Sequence, residues 1–348
     1  GLDLEFFGNR LSLELDYYYR YTDKLLAQVT LPGDYNAYTA QWQNAYAISN
    51  QGIELQIKAD LIRSEKLHWD FSFNIARNWN RFEKSNNGMD FTNLASKHNL
   101  NIIGKPLNGI YVYNDEGYYN SQDEVPLYYV NGRRKYLSSL GNQIYSPGDR
   151  RIQDVDGNGQ VATMVPLLED RVYGGSPLPL AFGGIASTLK WKGIDVNLLF
   201  SYKLGRHVLN AGRGASVGTI LRANTAEMMV PILADLDKVS FWQKPGDNTD
   251  FPINELENGK NNFATNLKSN VEKINYLKLK SISIGYILPV FPKQSKHYAR
   301  VFMSVENVFT ITNSSSPDPE SIDIVTGVDS NNNYPLATRF TLGLTLNL

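Results

Sequence analysis

The 348-residue chain has no cysteine. Disulfides, thiolate metal sites and cysteine nucleophiles are therefore excluded. It also has no apolar run approaching the roughly 20 residues of a membrane-spanning helix. Charge of neither sign is in excess: 34 Lys and Arg stand against 35 Asp and Glu, a formal net charge of -1. Such a balance offers neither the basic surplus that nucleic acid attracts nor the acidic surplus of a solvating tail. Histidine is scarce, and His68, His98, His207 and His297 are scattered, no two at metal-ligand spacing. The chain opens on Gly1, within strand-like sequence and without a signal peptide. It is expected to be a piece of a longer protein.

What is present is alternation. Leu11, Leu13, Leu15, Tyr17, Tyr19 and Tyr21 oppose Ser12, Glu14, Asp16 and Tyr18. This is the period-two signature of a strand with one dry side. The same pattern recurs in Ile53/Leu55/Ile57/Ala59, in Trp69/Phe71/Phe73/Ile75 and in Ile194/Val196/Leu198/Phe200/Tyr202, with Leu199 out of frame. It appears again in Val301/Met303/Val305, with Phe302 out of frame, and in Phe340/Leu342/Leu344/Leu346/Leu348. Between Ile274 and Leu288 the frame changes, and a bulge near Lys280–Ser281 reconciles the two halves. These patterns predict about nine strands: Leu2–Phe7, Arg10–Tyr21, Asn44–Asp60, Leu67–Asn80, Leu180–Trp191, Ile194–Leu204, Ile274–Leu288, Tyr298–Ile311 and Leu336–Leu348.

Mean hydropathy is -0.34, a value shared by soluble β proteins and by barrels whose strands alternate lipid-facing and lumen-facing residues. Connection lengths separate the two. Short links at Phe7–Arg10, Leu61–Lys66, Lys190–Gly193 and Pro289–Lys296 alternate with long ones near Thr22–Gln43, Arg81–Pro179, Gly205–Lys273 and Asn313–Pro335. Tight turns on one side and long loops on the other are the plan of an outer-membrane barrel. The sequence thus predicts an all-β chain, an antiparallel transmembrane β-barrel portion with long extracellular loops. An odd number of strands leaves an open edge that lipid does not tolerate, so further strands are expected N-terminal to Gly1. Tyr17, Tyr19, Tyr21, Trp69, Trp191 and Tyr276 lie near strand ends and read as an interfacial girdle.

Six segments, in order, resemble the C-terminal third of SusC/RagA-type TonB-dependent transporters. They are Asn50-Gln51-Gly52-Ile53-Glu54; Pro147-Gly148-Asp149 with Asp154-Val155-Asp156-Gly157-Asn158-Gly159; and Gly174-Gly175-Ser176-Pro177-Leu178-Pro179 with Gly183-Gly184. The others are Tyr276-Leu277-Lys278-Leu279-Lys280 running to Gly285-Tyr286-Ile287-Leu288-Pro289, Asn307-Val308-Phe309-Thr310 with Asp318-Pro319-Glu320, and Tyr334-Pro335 with Arg339 before a last alternating strand. The chain departs from that family in ending on Leu348 rather than Phe and in carrying Asn158 where Asp is common. The resemblance implies that residues 1–348 are the C-terminal part of a barrel of about 22 strands. The plug and N-terminal strands would lie outside this chain. It further implies multi-pass residence in the outer membrane of a Gram-negative bacterium, uptake of oligosaccharides or oligopeptides, a SusD-like surface lipoprotein over the barrel, and coupling to the TonB complex through an N-terminal region. On this reading the protein is not an enzyme and needs no cofactor.

Two groups of residues are candidates for binding. Trp42, Tyr111, Tyr113, Tyr118, Tyr119, Tyr128, Tyr129 and Trp242 fall in the long loops, where ring faces stack on sugar C–H surfaces or simply pack against one another. Asp154, Asp156, Asn158 and Gln160 match the first half of a calcium loop. Val165 at the twelfth position cannot ligate, so Asp170 or Glu169 completes a Ca²⁺ site only if the loop folds back. Gly214-Ala215-Ser216-Val217-Gly218 fits G-x-S-x-G but lacks the strand-turn-helix context of a nucleophile elbow. Two other functions share parts of this pattern. A passive porin has the strands but no plug, and a soluble secreted β-sandwich lectin or glycosidase has aromatic loops but buries its dry faces.

Overall fold

The structure is a computed structural model. It describes all residues except 31–39, 86–87, 89, 94–95, 131, 140–141, 162–169, 214–239, 254–259, 261–263, 290–296, 331–333 and 348. Nine strands form one antiparallel sheet: β1 (Leu2–Phe6), β2 (Leu11–Thr30), β3 (Ala40–Arg63), β4 (Leu67–Lys84), β5 (Ala181–Trp191), β6 (Ile194–Asn210), β7 (Val271–Leu288), β8 (Tyr298–Thr312) and β9 (Arg339–Asn347). Each pairs with its neighbour in sequence, so the order runs from β1 to β9 without a crossover. A two-residue strand, Val328–Asp329, adds parallel pairing to the end of β6.

Register carries the alternation from strand to strand. Phe6, Leu11, Ala59, Phe71, Ser187, Leu198, Ile282, Val305 and Phe340 form one row across all nine strands. Leu4, Leu13, Ile57, Phe73, Ile185, Phe200, Leu279 and Phe309 form the next. Between them runs a row that is polar except at Ala186 and Leu199: Glu5, Ser12, Lys58, Ser72, Ala186, Leu199, Ser281, Glu306 and Arg339. Among the described residues the apolar rows have no second layer over them. Phe340 is 74% exposed and Leu342 is 77% exposed. A soluble sandwich would bury such rows.

The dry belt has the height of a bilayer. On β4 the outward positions run Leu67, Trp69, Phe71, Phe73 and Ile75. Eight residue steps at about 3.4 Å, tilted by roughly 40°, rise about 21 Å, close to the apolar band of an outer-membrane barrel. Strands of 18 to 24 residues, such as β4, β2 and β3, exceed the roughly 9–11 needed to cross. Their far ends stand above the membrane and carry the loops.

The nine expected strands are all present, but several run further than the pattern indicates. β2 continues to Thr30 and β3 starts at Ala40, so the connection expected over Thr22–Gln43 is largely paired strand. Register shifts between Thr22 and Leu26, with Lys24 at φ 54°, flip the side-chain frame and hide the continuation. The bulge at Lys280 is present, with Leu279 and Ser281 changing register against both neighbours. Phe302 is out of frame because it lies inward between Gly285 and Gly343, its cross-strand partners, and its ring occupies the place of a side chain at Gly343. Tyr276 is not in the girdle: Leu277 faces outward, so Tyr276 faces inward and is 3% exposed. Tyr17, Tyr19, Tyr21, Trp69 and Trp191 are exposed as a girdle requires.

Candidate functional site

The long loop between β4 and β5 folds upon itself. Short strands at Gly109–Tyr113, Asp115–Tyr118, Leu127–Val130, Arg133–Tyr136, Arg150–Ile152 and Arg171–Gly175 pair locally. Tyr113, Tyr119, Val125, Leu137, Tyr145, Ile152 and Val161 form a core with Leu267 from the loop between β6 and β7. A second cluster joins Ile110 and Val112 to Leu209 and Ala211 at the top of β6. The loops thus build a packed cap fastened to the wall.

Polar contacts make the same joints. The Asn266 carbonyl accepts from the Tyr113 N–H at 2.9 Å and the Gly148 carbonyl from the Ile253 N–H at 3.0 Å. The Asp115 carboxylate accepts from the Ser269 N–H at 2.9 Å and from Arg150 at 2.9 Å. In the Pro147-Gly148-Asp149 turn, fully buried Asp149 accepts from the Ser146 N–H at 2.7 Å, the Ser146 hydroxyl at 2.9 Å and the Lys260 ammonium at 2.7 Å. Gly148 has φ +91°, and a Cβ there would lie 2.6 Å from the Trp242 ring. Only glycine allows that conformation and that approach together.

The third loop, between β8 and β9, is held by two of the segments singled out in the sequence. Lys278 of β7 bonds Asp318 at 3.0 Å and Glu320 at 3.1 Å, while Lys280 bonds Glu320 at 2.7 Å. Lys278 is 2% exposed and Asp318 6%. Burial pushes both carboxyls up. For Asp318 the bonds from the Glu320 N–H, Lys278 and the Leu336 N–H outweigh it; for Glu320 those from Lys280 and Lys278 do. Both stay below the usual carboxylate range. Buried Arg206 donates to the Pro177 carbonyl at 2.9 Å and to the Ile322 and Asp323 carbonyls, joining the Gly-Gly-Ser-Pro turn to the same loop. Pattern reading found these segments but not that they meet, because 40 residues separate Lys278 from Asp318.

The eight candidate aromatics divide by exposure. Tyr111, Tyr113, Tyr119 and Trp242 are buried. Tyr111 stands edge-on to Tyr173 at 5.5 Å, Tyr119 lies 6.1 Å from Tyr145, and Arg171 and Arg151 lie over Tyr113 and Tyr119. Half-buried Tyr118 donates to the Thr249 carbonyl at 3.2 Å, and half-buried Tyr128 lies on Gly159. Burial pushes the Tyr111, Tyr119 and Tyr128 phenols up to about 12, so all three are neutral. Tyr129 is 71% exposed, with Arg134 donating to its hydroxyl at 2.9 Å. Trp42, expected in a loop, is instead on β3 and is 64% exposed. Trp42 and Tyr129 are thus the most exposed of the eight, although the Arg134 guanidinium already lies over one side of the Tyr129 ring, 5.7 Å from its centre.

Three of the five candidate calcium ligands come together. Carboxylate oxygens of Asp154, Asp156 and Asp170 lie within 4.8 Å of one another, Asp170 being fully buried. The loop does fold back, as a site requires. Asn158 is turned to Asp156 at 2.7 Å and Gln160 to Asn142 at 3.0 Å. Asp154 accepts from the Gly157 and Gly159 N–H groups, each at 2.8 Å. Val165, Glu169 and the Gly214–Gly218 segment lie outside the described residues. At the short-turn end, His68 bonds Asp70 at 2.9 Å with Asp60 beside them. Histidine spacing alone missed this group, since it takes the pairing of β3 with β4 to set Asp60 opposite Asp70. It borders a 590 Å³ cavity lined also by Lys190, Asp195, Asn197 and Arg300.

The wall, the cap and the order of the segments all fit one comparison. The model of the family described as "TonB dependent receptor-like, beta-barrel" matches residues 1–212. The chain belongs to the TonB-dependent receptor β-barrel family. It is a protein of the outer membrane, and the SusC/RagA-type resemblance of its segments is borne out by its relatives. TonB-dependent receptor P3 of Formosa agariphila is 29% identical over 369 residues, covering 99% of this chain and 33% of that protein. TonB-dependent receptor SusC of Bacteroides thetaiotaomicron is 24% identical over 361 residues, covering 99% and 31%. The chain therefore spans about a third of these relatives. A structure of the RagAB peptide transporter superposes with a TM-score of 0.69 at 22% identity, covering 99% of this chain and 34% of that one.

Proposed function

We propose that the protein containing this chain is a TonB-dependent importer of oligosaccharides or oligopeptides. Residues 1–348 are its C-terminal barrel wall and part of its outer cap, and their role is transport rather than catalysis. The observation that carries this reading is the cap, a packed body of three loops seated on a wall that is dry outside and polar inside. A passive porin needs no such body. A soluble lectin or glycosidase would not leave nine-strand apolar rows open. The structural relative named a peptide transporter supports the peptide part of this class.

A SusD-like lipoprotein would dock on the cap, and the TonB complex would act through a region outside this chain. Tyr129 and Trp42 are the substrate-stacking residues of this reading, with Tyr118 and Tyr128 at the edge and the buried aromatics holding the cap's shape. Ca²⁺ on Asp154, Asp156 and Asp170 would fix the cap, since three clustered carboxylates supply hard oxygen ligands.

Uptake of labelled oligosaccharide and peptide pools by cells expressing the full-length protein tests the reading. Uptake of one pool that stops when the proton-motive force is collapsed supports it. Uptake that continues identifies a porin, and breakdown of the pool by the purified protein identifies an enzyme.

A further inference from the structure

The outward face of β4 ends its apolar run at Ile75 and continues with Arg77 and Trp79. By the rise along the strand, Arg77 stands roughly 5 Å above the hydrocarbon belt. Its row is Tyr17, Ile53 and Arg77, and the row above is Tyr19, Gln51 and Trp79. Tyrosine and tryptophan at this height mark the headgroup region. Long loops leave from this end, so the headgroups belong to the outer leaflet.

We propose that Arg77, pinned by Trp79, binds the phosphate of an anionic glycolipid of the outer leaflet. The guanidinium lies 4.6 Å from the centre of the Trp79 ring and is exposed. A guanidinium held over a ring by this contact still has N–H groups to donate, and their fork matches two phosphate oxygens. No carboxylate among the described residues pairs with it. The next outward cation, Arg81, is already taken by Glu83 at 3.6 Å. The residues across from Arg77 and Trp79 are neutral, so among the described residues no anion meets Arg77 here and the lipid supplies one.

The wall also supplies room. Pairing between β5 and β4 begins at Phe182 and Ala76, which leaves β4 without a strand on that side from Arg77 upward. The step is a cleft of 440 Å³ lined by Arg77, Trp79, Pro106, Tyr173, Leu180 and His207. Its largely apolar lining suits the sugar and upper acyl stem of a headgroup whose phosphate meets Arg77.

The test uses the full-length protein in mild detergent, with lipid retention read by native mass spectrometry during titration with lipid A. Wild type is expected to bind the phosphorylated form roughly tenfold more tightly than Arg77→Gln, the scale of one hydrogen bond to a charged group. Arg77→Lys should recover part of the binding, and Arg81→Gln should change little. Dephosphorylated lipid A should bind wild type as weakly as it binds Arg77→Gln, and millimolar inorganic phosphate should not displace the lipid. Equal binding by Arg77→Gln, equal binding of the dephosphorylated lipid, or an equal loss in Arg81→Gln would overturn the assignment. Displacement by inorganic phosphate would make it a free-anion site instead. Arg77 is exposed, and a gel-mobility shift on heating confirms that each variant is folded.

Discussion

At the scale of residues, the buried charges of the third loop carry the clearest consequences. Lys278 and Asp318 are both out of water, and each neutralises the other. Removing one partner leaves a buried charge uncompensated, at about 3–5 kcal/mol. Lys278→Met should therefore release residues 313–336 to protease, whereas the double change Lys278→Met with Asp318→Leu should restore much of the protection. The pH dependence has a definite sign. Asp318 and Glu320 have carboxyls lower in the folded protein than in the unfolded chain, so their contribution is complete above the ordinary carboxylate pKa of about 4 and falls away as pH drops through the depressed folded values. Proteolysis of this loop should be flat from neutrality to about pH 5 and rise below about pH 4. A rise on the alkaline side instead would contradict the assignment. At Gly148, alanine must adopt a left-handed conformation and displace Trp242, a strain on the order of 1–3 kcal/mol. The Trp242 region should open, and iodide quenching of tryptophan should increase. At the carboxylate cluster, EDTA should lower the melting temperature of the wild type and leave Asp170→Asn unchanged.

At the scale of elements, the wall is a two-sided object, and its two sides should respond differently to charge. Ile282 lies in the middle row between Leu198 and Val305, and its neighbour Ser283 faces inward between Asn197 and Ser304. Ile282→Lys should cost about 2–4 kcal/mol in folding into lipid, against little for Ser283→Lys. Urea titration in vesicles measures both. The strands were legible in the sequence for the same reason that this contrast exists: every second side chain meets a different medium. Leu11 to Tyr21 and Trp69 to Ile75 are readable at sight. Legibility failed where the frame slips. Lys24 and the shifts around it conceal the further nine residues of β2, Thr22–Thr30, and place Trp42 on a strand. It failed again in the cap, whose strands are two to six residues long and too short for a period to show. The candidate site was read as composition, namely aromatics and a calcium-like loop. Which rings close a core and which face water depends on partners distant in sequence, as with Tyr118 and Thr249, 131 residues apart.

At the scale of the whole molecule, nine strands with a dry exterior, a largely polar interior and a loop cap are the parts of an outer-membrane barrel wall, and the chain belongs to the TonB-dependent receptor β-barrel family. The claim beneath this is that the outward rows meet hydrocarbon. The absence of cysteine from residues 1–348 makes it directly measurable, once any cysteine elsewhere in the full-length protein is replaced by serine. Leu13, Glu14, Phe73, Asn74, Asn197 and Leu198 are each replaced in the full-length protein, labelled with an environment-sensitive dye and read for quenching by brominated lipid. Strong quenching at Leu13, Phe73 and Leu198, and weak quenching at Glu14, Asn74 and Asn197, is the result expected. Equal quenching at neighbouring positions, or protection of the Leu and Phe rows, would contradict the account.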